Sequence, residues 1–304
     1  MSATTALPAA LGEVRPSAGA WARLRRLARR HPQIVLGTAI VFAFVIVGAF
    51  APLLAPHPYD EQDLSNQLRP PVWAGGQVQH PLGTDEFGRD TLSRLIYGAR
   101  VSLVVGLFSV VLAGLLGVTI GVIGGYLGGT LDAVFMRVAD VQYSFPYILI
   151  AIVITAFWGA SLTNVVVALG LAGWMTFARA ARASTLAVKE RDYIIAARAT
   201  GAGHAHVMWR HILPNIAAPL IVFATFQVPS RILAEATLSF VGLGIQPPMP
   251  SWGNMLSQNR GYLLTQPWLV TLPGLALTIV ALGVNQLGDG LRDLLDPRLR
   301  GRTE

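Results

Sequence analysis

The sequence has no cysteine and a single lysine, Lys189, in 304 residues. Without thiols there are no disulfides, no thiolate nucleophile and no thiolate metal site. Lys189 follows Val188 and precedes Glu190, so there is no glycine-rich loop ending in Lys-Ser/Thr of the kind that cradles nucleotide phosphates. G-x-S-x-G and H-E-x-x-H are also missing, and no Ser/His/Asp arrangement stands out. No residue is therefore assigned a catalytic role. Charge is scarce as well. Only 13% of residues are charged, against about 25% in soluble domains. A cleavable leader is not expected, because the first apolar run starts late and is too long for a signal h-region.

What the chain does have is apolar runs. Hydrophobic residues make up 53% of it, and the net charge of +7 is carried almost wholly by arginine. The arginines sit at the ends of the runs, which is a membrane-topology pattern and not a nucleic-acid face. Six runs reach the ~20 residues that a bilayer core requires. They cover 32–56, 100–128, 132–156, 161–180, 214–243 and 267–287. The expected organisation is a basic tail over 1–31, a first span at 32–56, an outside loop at 57–99, a five-helix core over 100–290 and a tail over 291–304. Gly117, Gly121 and Gly125 share one face of the second span and invite close approach of another helix. Arg137 and Asp140, one turn apart in the third span, are placed to pair, and Pro146 should kink that helix.

Loop charge sets the orientation. The tail over 1–31 holds six arginines, and the 179–210 region holds Arg179, Arg182, Lys189, Arg191, Arg198 and Arg210. The loops at 157–163 and 244–264 hold only Arg260. The loop at 57–99 carries six acids against Arg69, Arg89 and Arg94. Positive charge marks the cytoplasmic side, so both termini and the 189–215 stretch are expected inside. Within 57–99, the segment His80–Asp90 is rich in carboxylates, but its spacing does not match a calcium loop.

The stretch Lys189–Asn215 is the longest polar interruption in the C-terminal two-thirds of the chain. It reads as two short helices, 189–200 and 204–212, broken at Gly201 and Gly203, with Pro214 opening the next apolar run. His204, His206 and His211 cluster there, but the first two face apart on a helix and make a poor metal site. In the fifth span Arg231 and Glu235 lie one turn apart near the outer face. The spacing favours a structural pair, since opposite charges at i,i+4 commonly satisfy each other, over contact with a solute or a partner.

These motifs resemble the permeases of ATP-binding-cassette importers. The family's loop motif is Glu-Ala-Ala, three residues, Gly, nine residues, then Ile-x-Leu-Pro. Ala196, Ala197, Gly201, Leu213 and Pro214 stand at matching positions, while Ile195 replaces the glutamate and His211 the isoleucine. HPLGTDEFGRD at 80–90, SFVGLGIQPPMPSWGNML at 239–256 and LGDGLRDLLDPRLR at 287–300 resemble the second permease of dipeptide and oligopeptide systems. The resemblance implies an all-α, six-span type I importer permease with both ends inside, in a bacterial inner membrane. It implies a coupling loop over 184–215 containing Ala196, Ala197, Arg198, Gly201, Ala202, Gly203, His204, Arg210, His211, Leu213 and Pro214. It further implies a sister permease, two cytoplasmic ATPase subunits that bind ATP and Mg, and an extracytoplasmic substrate-binding protein. Membrane lipid is the remaining partner. No cofactor, metal or nucleic acid is expected on this chain itself. Similar permeases carry dipeptides, longer peptides, glutathione or nickel chelates. A proton- or sodium-coupled secondary transporter is the alternative, but acids are missing from the span centres. A scaffold or receptor without transport leaves the structured inside loop unexplained.

Overall fold

The computed structural model describes residues 32–295. The tails over 1–31 and beyond 295 lie outside the described residues. Within them the chain forms helices and turns, with one isolated bridge between Thr84 and Asp90. Five helices are long and apolar enough to cross a membrane: α1 (Pro32–Ala49), α2 (Thr91–Leu127), α5 (Leu162–Lys189), α7 (His204–Phe240) and α9 (Trp268–Leu295). A sixth crossing is made if α3 (Gly129–Tyr143) and α4 (Tyr147–Trp158) count as one broken span, bent by 85°. Among the shorter helices in the connections are α6 (Asp192–Ala199) and α8 (Trp252–Asn259).

Several boundaries move from their expected places, each for a local reason. α2 starts nine residues before 100, because Asp90 caps it through a bond from the Ser93 amide at 2.7 Å. Its first turns carry Ser93, Arg94 and Tyr97 and so do not read as membrane. At 37 residues α2 is about 55 Å long at 1.5 Å per residue, more than a bilayer core. α5 likewise runs on to Lys189. Pro146 does more than kink: the helix stops at Tyr143 and restarts after Pro146.

α2 and α5 form the central contact. A Cβ on Gly117 would come within 2.2 Å of the Trp174 carbonyl oxygen, and one on Gly121 within 2.3 Å of that of Ala178. At Gly125 the nearest atom, on Thr185, would be 3.1 Å away. The three glycines therefore let one backbone lie directly on the other. α1 packs on α9 in the same manner, with Gly37 against the backbone of α9 and Gly283 against Ile40. Two ion pairs join α5 to α3. Arg182 grips Asp132 with two bonds of 2.6 Å, and Arg179 reaches Asp140 at 2.7 Å. The expected Arg137–Asp140 pair does not form: Asp140 prefers the neighbouring helix.

The connections at 55–90 and 241–267 fold onto each other at one end of the bundle. Asp85 takes Arg89 at 2.8 Å and Arg94 at 3.4 Å, and both arginines reach Gln258. Trp252 packs against Gly98, where a Cβ would fall 2.6 Å from its ring, and donates to the Leu95 carbonyl. At the exposed rim, bonds from Ser65 and Asn66 hold the Asp63 carboxyl below its ordinary range. The Glu86 carboxylate pushes the Tyr262 phenol up.

The backbone contact gives a paired test. Gly121→Ala should lower the thermal unfolding midpoint in detergent, by about 1–3 kcal/mol of overpacking. Gly114→Ala should not, because its Cβ would meet only the Phe177 ring, at 3.7 Å. Equal midpoints for the two variants would show that α2 and α5 are not locked at backbone distance.

Candidate functional site

At the end of the bundle opposite Gln258, α5 hands over to α6 and α7. α6 ends in a closed turn. The Gly201 amide donates to the Arg198 carbonyl and the Ala202 amide to that of Ala197, both at 3.0 Å. Gly201 has φ +87°, a left-handed conformation that costs other residues about 1–2 kcal/mol. Gly203 is extended and begins α7. Ile194 is fully buried in a cluster with Val188, Val207 and Ile212, which anchors the turn to both flanking helices. Ala196, Arg198, Gly201, Gly203 and His204 remain exposed, and Ala197 and Ala202 are half-buried. Ile195, where the family pattern has glutamate, points outward at 52% exposure.

α7 departs from the expected pair of helices. No helix ends at 212 and none begins at Pro214; one helix runs from His204 to Phe240. Pro214 lacks an N–H and would crowd the carbonyl four residues back. The helix answers with a wide π-turn over Val207–Ile212, in which the Leu213 amide donates to the Met208 carbonyl. The Asn215 side chain satisfies the His211 carbonyl at 2.7 Å. Arg210 is exposed and His211 half-buried on this turn, with Leu213 and Pro214 directly after it.

Two long-range side-chain contacts that sequence spacing does not mark tie this turn to α2. Tyr126, at the end of α2, meets His204 Nδ1 at 3.2 Å, and the Arg198 guanidinium lies 5.9 Å from its ring. Lys189 donates to the Gly125 carbonyl at 3.2 Å. Arg182 holds the base of α3, as above. Only contacts across 50 or more residues reveal these roles. His206 and His211 stack edge to face at 5.4 Å, while His204 turns to Tyr126.

Elsewhere, His57 comes beside His80 and Asp90, with one ligating atom of each within 4.8 Å of the others. His80 bonds one Asp90 oxygen at 3.0 Å, while the other oxygen caps α2. Arg231 and Glu235 are not a pair. Glu235 is wholly buried and accepts from the Ser239 hydroxyl at 2.6 Å. Arg231 turns the other way, over Tyr147 and Gly173. The i,i+4 spacing puts both on one face, but their partners draw the side chains apart.

Residues 117–301 match the family model described as binding-protein-dependent transport system inner membrane component. Residues 18–71 match the N-terminal transmembrane domain of oligopeptide transport permease C. The chain is 41% identical over 280 residues to a dipeptide transport system permease protein of Alkalihalophilus pseudofirmus, covering 92% of this chain and 90% of that one. It is 43% identical over 265 residues to a di/tripeptide transport system permease protein of Pseudomonas aeruginosa, covering 87% and 88%. A glutathione transport system permease protein of Pectobacterium atrosepticum is 40% identical over 276 residues, covering 91% and 90%. Among solved structures, an inward-facing MetNI methionine ABC transporter chain superposes with a TM-score of 0.56 at 19% identity. The match covers 67% of this chain and 97% of that one, a likeness of fold.

The turn at Gly201 makes a local prediction. Gly201→Asn should be tolerated, because asparagine accepts the left-handed region. Gly201→Val should raise the open population of the turn roughly five- to thirtyfold, the equivalent of 1–2 kcal/mol. Hydrogen exchange at the amides of α6 reads this directly. Identical protection in both variants would show that the closed turn does not depend on its left-handed residue.

Proposed function

This chain belongs to the binding-protein-dependent transport system inner membrane components, and from that premise we propose that it is one of two permease subunits of an ATP-driven importer of di- and oligopeptides. It is a multi-pass inner-membrane protein with the all-α fold of an ABC importer permease. The proposal adds its partners and the direction of coupling. ATP and Mg bind to two separate ATPase chains on the cytoplasmic side. A sister permease completes the pathway, and a binding protein delivers cargo from outside.

One observation carries this reading. The exposed turn from α6 to α7 is closed by its own backbone bonds, bolted to α2 through Tyr126 and Lys189, and continuous with two bilayer-length helices. A push on such a turn cannot be absorbed locally. It moves α5 and α7 as bodies, which is what shifting a population between inward-open and outward-open states requires. The peptide cargo rests on the relatives, whose names include dipeptide and di/tripeptide transport. The secondary-transporter reading gains nothing from the structure: Glu235, a fully buried acid, is bonded to Ser239 within its own helix.

The test is reconstitution in vesicles. The chain with its sister permease, ATPases and binding protein should accumulate dipeptides only with ATP, and the chain alone should accumulate none. Gly201→Pro removes the N–H that closes the turn and forbids φ +87°. It should leave assembly in the membrane intact and reduce uptake by about tenfold or more, since over 1.4 kcal/mol of coupling is lost. Accumulation by the chain alone would refute the proposal. Normal transport by the proline variant would refute the lever.

A further inference from the structure

A cavity of about 340 Å³ opens beneath the break between α3 and α4. Ser144–Pro146 is non-helical backbone in the middle of a broken span. Such backbone is tolerated at membrane depth only where protein buries it or where it lines a hydrated space. Tyr143 and Tyr147 wall the cavity on this side, Gly173 and Thr176 come from α5, and Gln227 and Arg231 from α7.

Arg231 is the unusual member. It is 4% exposed, its Nε has no hydrogen-bond partner, and no carboxylate among the described residues lies within ion-pair distance. Glu235, one turn on, is engaged with Ser239, and Asp140 with Arg179. Among the described residues the cation has only the Tyr147 ring, 5.5 Å from its centre. The site is nonetheless shaped for it. A Cβ on Gly173 would fall 2.0 Å from a terminal guanidinium nitrogen, so only glycine leaves it this seat. An uncompensated guanidinium inside a membrane protein is costly and marks a site that an anion completes. The planar fork fits a carboxylate through two parallel bonds. The cavity lies within the size range of small-ligand sites, about 300–1,000 Å³.

We infer that Arg231 reads the C-terminal carboxylate of a peptide as it passes the broken span, with Gly173 and Tyr147 holding the guanidinium in place. This rests on the peptide-importer reading. One cationic contact without a full cage suits passage, because cargo must leave as readily as it enters. The other source of an anion, an acidic side chain of the sister permease, predicts a different result.

The measurement is uptake by vesicles containing the whole importer, over a series of dipeptide concentrations that reaches saturation of the binding protein. Arg231→Gln should lower the maximal rate by about tenfold or more, the worth of a charge-assisted hydrogen bond. The half-saturating concentration, set by the binding protein, should not move. The ratio of the maximal rate for a dipeptide to that for its C-terminal amide should fall toward one. Arg231→Lys should retain part of this preference. Gly173→Ala, which displaces the guanidinium but keeps the charge, should reproduce the loss in part. Co-purification of the sister permease and ATPases should be unchanged in every variant. An unaltered rate and ratio in Arg231→Gln would overturn the inference. So would equal loss for acid and amide together with release of the sister permease, which would make Arg231 a structural counter-charge. Failure of the wild-type importer to carry any peptide would overturn the peptide reading, and this inference with it.

Discussion

The contact between α2 and α5 governs the rest of the structure. In lipid the hydrophobic effect does not drive helices together, so association depends on close packing and on polar contacts. Gly117, Gly121 and Gly125 supply the packing by bringing α2 onto the backbone of α5. Lys189 and Tyr126 supply polar contacts at the same end of the pair. Because α5 is held along its length, the turn that follows it inherits a fixed position. The closed end of α6, the buried Ile194 and the start of α7 are all referred to that one seam.

Much of this was legible in sequence, and the divisions are instructive. The spans were visible because apolar runs in a bilayer have a required length. The Gly201 turn was visible because a left-handed helix end and the family motif both mark it. The glycine face of α2 was visible because three residues at i, i+4 and i+8 must share a side. What failed depended on three-dimensional partners. The start of α2 was hidden because Ser93, Arg94 and Tyr97 look like loop residues until Asp85, Asp90 and Gln258 are seen around them. Asp140 read as the partner of Arg137, since sequence spacing knows nothing of Arg179 on the next helix. Pro214 read as a beginning, because the rule for proline at helix starts is stronger than any signal for a π-turn.

That π-turn bears on how the candidate site works under the proposed function. A proline in a helix usually leaves a bent, softened point. Here the wide turn at Val207–Ile212 and the Asn215 side chain restore the lost bonds, so the helix stays continuous from His204 to Phe240. Val207 and Ile212, both fully buried, clamp the turn against Ile194. The turn at Gly201 is thus anchored on both sides, although one side is built from an irregular helix.

Anchoring at this end gives the other charged site its meaning. Gly173 lies on α5 and Arg231 on α7, the two helices that the turn at Gly201 joins. The seat of the guanidinium is therefore made by both of these helices and by the α3–α4 break. A small rotation of α7 against α5 would change the gap at Gly173, where no side chain can cushion the change. It would alter how far the guanidinium reaches into the cavity. An anion held there and a push applied at Gly201 would act on the same pair of helices. Under the proposed function, binding at one and force at the other would be coupled, because both would bias one rigid-body equilibrium.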